Sequence, residues 1–402
     1  PFFDEMPKQK MIECLRYYRQ EYHVDGFIVN PYTVPLEVIQ SDDYLKHMKL
    51  IVKNEDFQNV MRRFLKGDEG MVESVIWHLK HLSQNDYQYH TITDHTGFTL
   101  NDLVSYDGKH NERNGENNHD GPDYNYSWNC GVEGETEDPA VLALRKRMME
   151  NAFAVLLCSR GTPMFLSGDE FGDTRYGNNN PYCQDNPISW LDWTLLEKNR
   201  PLFEFVKYMI AFRKRHPAIR MDLPSDRFSF PSVSLHGVHP WQPVLNEDSH
   251  ILCVLFSGFD QEQTEQDTVY LAINTYWEPA SLLLPDLPFE WCWQIAVNTG
   301  DPSGPAFSED TMPGHLTPFF LANVLLFSLS QKEGVSDKQS DTPSFFRVPP
   351  LTYIGQKPRH LFRDSVIELC NHFFPVSRKH SPYTEFYHIV ESIIDRLMLP
   401  RF

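Results

Sequence analysis

Apolar residues recur at helical and strand spacing through the first part of the chain, separated by polar turns. Residues 10–23 (KMIECLRYYRQEYH) predict an amphipathic helix, and residues 57–82 predict a second helical region whose basic side chains, Arg62 among them, face solvent. Short apolar runs at 24–30 (VDGFIVN) and 49–56 (KLIVKNED) predict strands between the helices. This alternation predicts an α/β fold with a parallel sheet.

A strand–helix–strand pattern continues further along the chain. A β-prone run at 89–93 precedes a long polar loop, and Asp138 followed by Pro139 predicts a helix start, with Asp as N-cap and Pro in the first turn. This helix is expected to end before Gly161, a C-cap residue, and residues 163–167 (PMFLS) predict a buried strand. Polar loops that follow successive parallel strands are typical of the active-site face of a (β/α)8 barrel.

The pattern divides the chain into three parts. Residues 1–222 predict the C-terminal part of a (β/α)8 TIM-type barrel whose first strands are absent, because a whole barrel needs about 250 residues. Short β-rich runs then predict an antiparallel all-β domain at 223–312. Residues 313–402 form an unassigned tail. In this tail the apolar run 316–330 is shorter than the roughly 20 residues of a membrane-spanning helix, and 331–344 predicts a disordered polar linker.

Composition narrows the classes of partner and compartment. The net charge of −19 on 402 residues disfavours nucleic acid. The seven cysteines are dispersed without CxxC pairs, which argues for reduced thiols inside a cell and against a zinc site. We therefore expect no metal, no cofactor and no membrane anchor. Because the chain starts at Pro1 without a leader-like segment, we expect a fragment or a mature piece of a longer protein.

Three long motifs follow one another in the predicted barrel. They are HTGFTLNDLVSY at 95–106, GENNHDGPDYNYSWNCGVEG at 115–134, and the block GDEFG, GNNNPYCQDN and SWLDW within 168–193. Together they resemble the isoamylase-type debranching enzymes of the α-amylase superfamily, over roughly residues 1–310. The resemblance implies hydrolysis of α-1,6 branch linkages in glycogen or amylopectin. It also implies an Asp nucleophile, a Glu general acid and a second Asp on three barrel strands.

The chain departs from this pattern at all three carboxylates. Asn30 stands at the position of the nucleophile, Lys53 at that of the general acid and Thr96 at that of the second Asp. A retaining glycosidase needs two carboxyl groups roughly 5–5.5 Å apart, which an amide, an ammonium and a hydroxyl do not supply. Ile28 also replaces a supporting Arg of the family, and Asp94 is expected to point to the opposite side of its strand. We therefore expect no catalysis here.

Four residues are candidates for binding sugar. The resemblance implies that His95 contacts the sugar at the cleavage subsite. Trp128, Tyr182 and Trp190 lie in the two long polar loops and are candidates for stacking on glucan rings. The competing interpretation is that these rings pack against the barrel rim and that His95 is a histidine satisfied at a strand end.

Three functions remain open. The first is a non-catalytic subunit that binds α-glucan (amylopectin) and supports a catalytic isoamylase in a hetero-oligomer, similar to the plant plastid isoform that lacks the catalytic carboxylates. This would place the protein in the chloroplast or amyloplast during starch synthesis. The second is an active α-1,6-glucosidase, which would hydrolyse amylopectin branches, and the third is a truncated product that fails to fold. We favour the first because aromatic and Asn-rich loops survive around a site without its acids.

Overall fold

The computed structural model describes most of the first three quarters of the chain. The described residues are 8–30, 36–80, 88–182, 184–224, 228–260, 265–288, 291–301, 306–307 and 323–331. The chain divides into two compact units, Pro1–Val348 and Pro349–Phe402, and every described residue belongs to the first. The predicted polar linker, apart from its first residue, and all that follows it lie outside the described residues.

A four-stranded parallel sheet forms the barrel part. Its strands are β1 Gly26–Ile28, β2 Lys49–Lys53, β3 Gln88–His90 and β4 Thr162–Pro163. They lie in the order β1-β2-β3-β4, so each strand pairs with the next one along the chain. This confirms the predicted parallel sheet, although β4 covers only the start of the predicted strand 163–167.

β3 is also shorter than the predicted run 89–93. Beyond its end, side chains bond locally: the Thr91 hydroxyl donates to the Thr93 carbonyl (2.5 Å), and Asp94 accepts the Thr96 amide (2.8 Å). Local bonds of this kind offer the backbone an alternative to a strand ladder. The chain therefore leaves the sheet before the predicted run ends.

Helices alternate with these strands and continue after them along the chain, and they follow their local sequence signals. They are α1 Lys8–Tyr22, α2 Leu36–Gln40, α3 Glu55–Lys66, α4 Val72–Lys80, α5 Leu100–Leu103, α6 Pro139–Cys158, α7 Thr194–Lys198 and α8 Arg200–Arg215. The Asn54 side chain accepts a first-turn amide of α3 (3.0 Å), and Gly67 ends that helix with φ of 90°. α6 begins after Asp138 as predicted, but Ser159 and not Gly161 is its C-cap.

A five-stranded antiparallel sheet follows the barrel part and confirms the predicted all-β region. Its strands are β5 Val233–His236, β6 Ile251–Asp260, β7 Glu265–Asn274, β8 Trp291–Asn298 and β9 Asn323–Gln331, in the order β5-β6-β7-β9-β8. β9 lies between β7 and β8, with Leu326 opposite Leu271. The sheet thus includes residues beyond 312, where we expected the tail to begin, and the predicted apolar run 316–330 supplies most of β9.

The apolar run in β9 is continuous because both faces of the strand are covered. Val324 and Leu326 join the large cluster that contains α6 side chains such as Phe153, whereas Leu325 and Phe327 join a second cluster. A strand that is buried on both faces does not alternate apolar with polar residues. The sheet therefore packs directly against a barrel helix.

Candidate functional site

The three positions without carboxylates follow neighbouring strands of the parallel sheet. Asn30 comes two residues after β1, Lys53 is the last residue of β2, and Thr96 lies in the loop after β3. The carboxyl ends of parallel strands meet at one edge, where barrels build their sites. Asn30 is exposed, and 66% of the surface of Ile28 is exposed beside it. The fold thus brings an amide, an ammonium and a hydroxyl to this edge.

A buried carboxylate, Asp94, joins two of these positions. The Lys53 ammonium lies 2.6 Å from Asp94 Oδ2, and the Thr96 amide and hydroxyl donate to Asp94 Oδ1 at 2.8 and 2.7 Å. Only 1% of the surface of Asp94 is exposed. Our expectation that Asp94 points away from the site is wrong, because β3 ends at His90 and strand alternation does not continue to Asp94.

The groups around Asp94 decide its protonation. Burial by itself raises the pKa of this carboxyl, but the hydrogen bonds from Lys53 and Thr96 outweigh burial and lower the pKa of Asp94 below its ordinary value. Asp94 is therefore ionised at neutral pH, and its oxygens are engaged. A general acid must carry a proton, and a nucleophile must have a free oxygen. The Asp94 carboxylate supplies neither.

Two buried side chains of α3 hold the loop that carries Asp94. Gln58 Nε2 donates to the Ile92 carbonyl (3.2 Å) and lies 3.5 Å from Asp94 Oδ2, and Arg62 Nε donates to the same carbonyl (2.6 Å). Arg62 Nη1 also donates to the Asn125 carbonyl (3.2 Å), and burial lowers the pKa of Arg62 to about 10. The expectation that Arg62 faces solvent is wrong. Its guanidinium is buried because it bonds to carbonyls of two loops that are distant in the sequence.

Asparagine side chains tie the two long loops together. Asn111 Nδ2 donates to Asn179 Oδ1 (2.8 Å), and the backbone N–H of Asn179 donates to Asn111 Oδ1 (3.0 Å). Asn178 Nδ2 donates to Asn114 Oδ1 (2.7 Å), and Asn114 Nδ2 donates to the Asn180 carbonyl (2.9 Å). We call these five residues the asparagine clasp. It joins the loop after α5 to the loop before α7, so much of the Asn-rich motif fixes loop positions.

The four predicted sugar contacts lie in different settings. His95 is exposed in the loop after β3. Trp128 is half-buried, packs against the main core and lines a cavity of about 20 Å³, far below the roughly 300 Å³ at which ligand pockets begin. Tyr182 and Trp190 are 80% and 56% exposed, and Trp190 Nε1 donates to Asp185 (3.0 Å). Sugar stacking stays a prediction for all three rings, and the exposed pair has the surface for it.

Buried acids in and near the GDEFG motif were not foreseen from the sequence. Asp169 accepts the Leu100 amide (2.8 Å) and the Thr93 hydroxyl, yet burial raises its pKa to about 7. Burial also raises the pKa of Asp173 to about 7 and that of Asp102 to about 6. The sequence contained a signal for the burial of Asp169, since the GDEFG motif lies directly after an apolar run. These acids bond to neighbouring loops and therefore support the site.

Replacing Asp169 by asparagine is expected to change the pH dependence of stability. A carboxyl whose folded pKa is about 7 and whose ordinary value is 3.8 binds its proton more tightly in the folded state. Its contribution to stability is therefore present at low pH and is lost as the pH rises through this window. The variant lacks that loss, so its free energy of unfolding should rise relative to wild type with increasing pH, by at most roughly 4 kcal/mol.

Urea unfolding of both proteins at about pH 4 and about pH 7 measures this difference. The matched control is Glu112→Gln, an exposed acid whose replacement should leave the pH dependence unchanged. A constant offset between Asp169→Asn and wild type at all pH values would contradict the raised pKa of Asp169.

Neither a metal site nor a membrane span is found in the described residues. Among them, no group of three or more His, Cys, Asp or Glu side chains is arranged to hold a metal ion. None of the helices described above combines the length and the apolar composition that crossing a membrane requires.

Relatives in sequence come from plants and bacteria. Isoamylase 1, chloroplastic, of Oryza sativa subsp. japonica is 32% identical over 403 residues, covering 83% of this chain and 49% of that protein. The glycogen operon protein GlgX homolog of Mycobacterium tuberculosis is 39% identical over 254 residues, covering 53% of this chain and 35% of that protein. This chain thus spans about half the length of such relatives or less. No protein-family profile matches the chain.

Solved structures share the fold at low sequence identity. A pullulanase from an Anoxybacillus species in complex with maltotetraose matches with a TM-score of 0.52 and 16% identity, covering 80% of this chain and 46% of that chain. At this identity the similarity shows the fold alone. That fold agrees with the predicted barrel and the β-sheet that follows it. The relatives in sequence carry more weight than this likeness of fold. By these, the homologues of the chain are proteins named as isoamylases and GlgX homologs, which it matches over about half of their length or less.

Proposed function

We propose that this chain is part of a non-catalytic member of the family, which binds α-glucan and supports a catalytic isoamylase. The observation that carries the proposal is the Lys53–Asp94 ion pair at the general-acid position, with Nζ and Oδ2 2.6 Å apart. The ammonium occupies the place from which a carboxyl group would protonate the leaving oxygen. The neighbouring carboxylate is kept ionised and bonded, so it does not take over that role.

The charges at this edge oppose cleavage of a glycosidic bond. The transition state resembles an oxocarbenium ion, which a nearby carboxylate stabilises and a nearby ammonium destabilises. The Asn30 amide does not form a glycosyl ester. The Thr96 hydroxyl and amide are both committed to Asp94. No carboxyl group is left among the three positions to act as acid, nucleophile or stabilising anion.

Binding of glucan is supported by the loops around the same edge. The asparagine clasp holds the two loops against each other, and the loop before α7 presents the exposed rings of Tyr182 and Trp190. A ring on a fixed loop stacks on a sugar with little loss of conformational entropy. His95 is exposed next to the Lys53–Asp94 pair, where a sugar at the former cleavage position would contact it.

The proposed partner and compartment rest on the plant relatives, several of which are named as chloroplastic isoamylases. We place the protein in a plastid, in a hetero-oligomer with a catalytic isoamylase that acts on amylopectin. A stable complex of this kind buries more than roughly 1,000 Å² of surface. The acidic chain, with a net charge of −19, has no affinity for nucleic acid in this proposal.

The protein purified alone is expected to release no linear chains from amylopectin, and to migrate with a catalytic isoamylase as one larger complex. The first result follows from the Lys53–Asp94 pair and the second from the proposed supporting role. Assays of new reducing ends and size-exclusion chromatography, with and without the active enzyme, measure both. A Lys53→Met variant is the matched control for complex formation, because it removes the ion pair and should still enter the complex.

Each alternative has its own outcome. Hydrolysis that persists after any contaminating isoamylase is removed would identify an active α-1,6-glucosidase. Separate migration, with the glucan preference of the active enzyme unchanged, would exclude the subunit role. A chain that neither folds nor retains glucan would be a truncated product without function.

A further inference from the structure

A cavity of about 620 Å³ lies between α6 and the α7–α8 region. Its volume falls in the range of about 300–1,000 Å³ that is typical of small-ligand sites. None of Lys53, Asp94 and Thr96 lines it, and neither do the exposed rings Tyr182 and Trp190. The cavity is therefore separate from the strand edge at which the family carboxylates are replaced.

One wall of the cavity is fixed by Arg145. This buried guanidinium on α6 donates to the carbonyls of Asn129 (3.0 Å), Gly134 (2.7 Å) and Val132. A single planar donor group thus holds three carbonyls of the loop that precedes the helix. The loop cannot move away from α6 without leaving several buried polar groups unpaired, so this wall is formed before any ligand arrives.

A second wall is fixed by Asp102. Its carboxylate accepts the Thr174 hydroxyl (2.5 Å) and the Arg175 amide (2.9 Å), and Thr174 Oγ1 accepts the Tyr176 amide (2.9 Å). Tyr176 is held at φ of 56° and is 41% exposed. A bulky residue keeps a positive φ only where its surroundings impose it. The Tyr176 ring is therefore presented at the cavity by a preformed turn.

The lining combines an aromatic ring with groups that bond to hydroxyls. Four residues with hydroxyl or amide side chains, Ser105, Thr136, Thr194 and Asn199, line the cavity together with Tyr106 and Tyr176. An aromatic face beside several hydrogen-bonding groups suits a sugar, which has an apolar face and a polar rim.

The charges of the lining favour a neutral ligand. Arg145 is engaged by carbonyls, and Lys146 pairs with Glu150 (3.2 Å). Lys198 shares the lining with two carboxylates, Glu135 and Asp192, so that three cations meet three carboxylates in all. No surplus of positive charge is left to bind a phosphate or another anion.

We infer that this cavity is a second glucan-binding site, which takes a short neutral α-glucan segment. The choice of sugar rests on the proposed function, whereas the place of the site rests on the cavity. The Tyr176 ring stacks on one sugar ring, and the surrounding hydroxyls and amides bond to its hydroxyl groups. With a second site, the protein holds two chains of one branched glucan, which strengthens binding through effective concentration.

Calorimetric titration of the full chain with maltotetraose tests the inference. Tyr176→Ala should weaken one class of site about tenfold by removing the stacking ring. Ala143→Trp should abolish the same class, because it fills the cavity from an exposed position of α6 and keeps both walls. The matched control is Tyr124→Ala, an exposed ring that does not line the cavity and should leave the titration unchanged.

The outcomes separate this inference from the proposed function. Titrations that are unchanged in both Tyr176→Ala and Ala143→Trp would overturn it, even if Trp190→Ala lost binding at the strand edge. If both cavity variants lose a class of site while Tyr182→Ala and Trp190→Ala lose nothing, the second site stands and binding at the strand edge fails. Competition by inorganic phosphate at the cavity would overturn its assignment to a neutral sugar.

Discussion

A triple variant that restores all three family carboxylates, Asn30→Asp, Lys53→Glu and Thr96→Asp, is expected to be inactive on amylopectin and much less stable than the parent. In the parent, the Lys53 ammonium neutralises the buried Asp94 carboxylate at 2.6 Å. The variant removes this cation and places two new carboxyl groups beside Asp94. Breaking a buried ion pair alone costs about 3–5 kcal/mol, and like charges add to that loss.

Urea unfolding measures the stability of this variant, and an assay of new reducing ends measures its activity. A quadruple variant that also carries Asp94→Ala should regain most of the lost stability, because it removes the like charge from the cluster. Lys53→Met alone should show only the cost of the broken pair. A triple variant that is active, or as stable as its parent, would show that Asp94 does not control this edge.

An Asn179→Ala variant is expected to open the asparagine clasp and to lower the free energy of unfolding by about 3 kcal/mol. The Asn179 side chain donates to the Pro122 carbonyl (2.8 Å) and to Asn125 Oδ1 (3.1 Å), and it accepts from Asn111 Nδ2 (2.8 Å). Each bond contributes roughly 1 kcal/mol, and the buried partners left behind lose bonds that water does not replace.

Chemical denaturation together with hydrogen exchange measures the effect of Asn179→Ala. Exchange should become faster in both long loops and stay unchanged in α6 and α8, because the clasp joins loops and not helices. Glu112→Ala is the matched control, an exposed side chain in the loop after α5, the other of the two loops that the clasp joins. Faster exchange in only one of the two loops would mean that the clasp does not couple them.

Several features of this protein were predictable from local sequence because they depend on neighbouring residues. Asp138 and Pro139 mark the start of α6, since a cap acts within one turn. The change from helical to β-rich spacing predicts the antiparallel sheet. The alternation of short apolar runs with helices predicts the parallel sheet. The expected absence of catalysis also needs no structure, because an amide, an ammonium and a hydroxyl lack the chemistry of a carboxylate wherever they point, and it stays a prediction.

Other features were decided by partners that are distant in sequence. The pairing of Asn111 with Asn179 joins residues 68 positions apart, and no local pattern distinguishes it from two solvated loops. The covering of β9 on both faces turned an apolar run of the predicted tail into an inner strand.

The state of the candidate site was likewise decided by residues that are distant in sequence. By sequence alone, Lys53 was a cation in place of an acid, and Asp94 was a strand residue on the wrong side. Because β3 ends at His90, the carboxylate of Asp94 lies against the ammonium of Lys53. Burial of the carboxylate keeps this ion pair in place. The sequence by itself determined that Asn30, Lys53 and Thr96 follow these strands, and the tertiary structure determined that Asp94 is held by Lys53, because a charge withdrawn from water needs a partner.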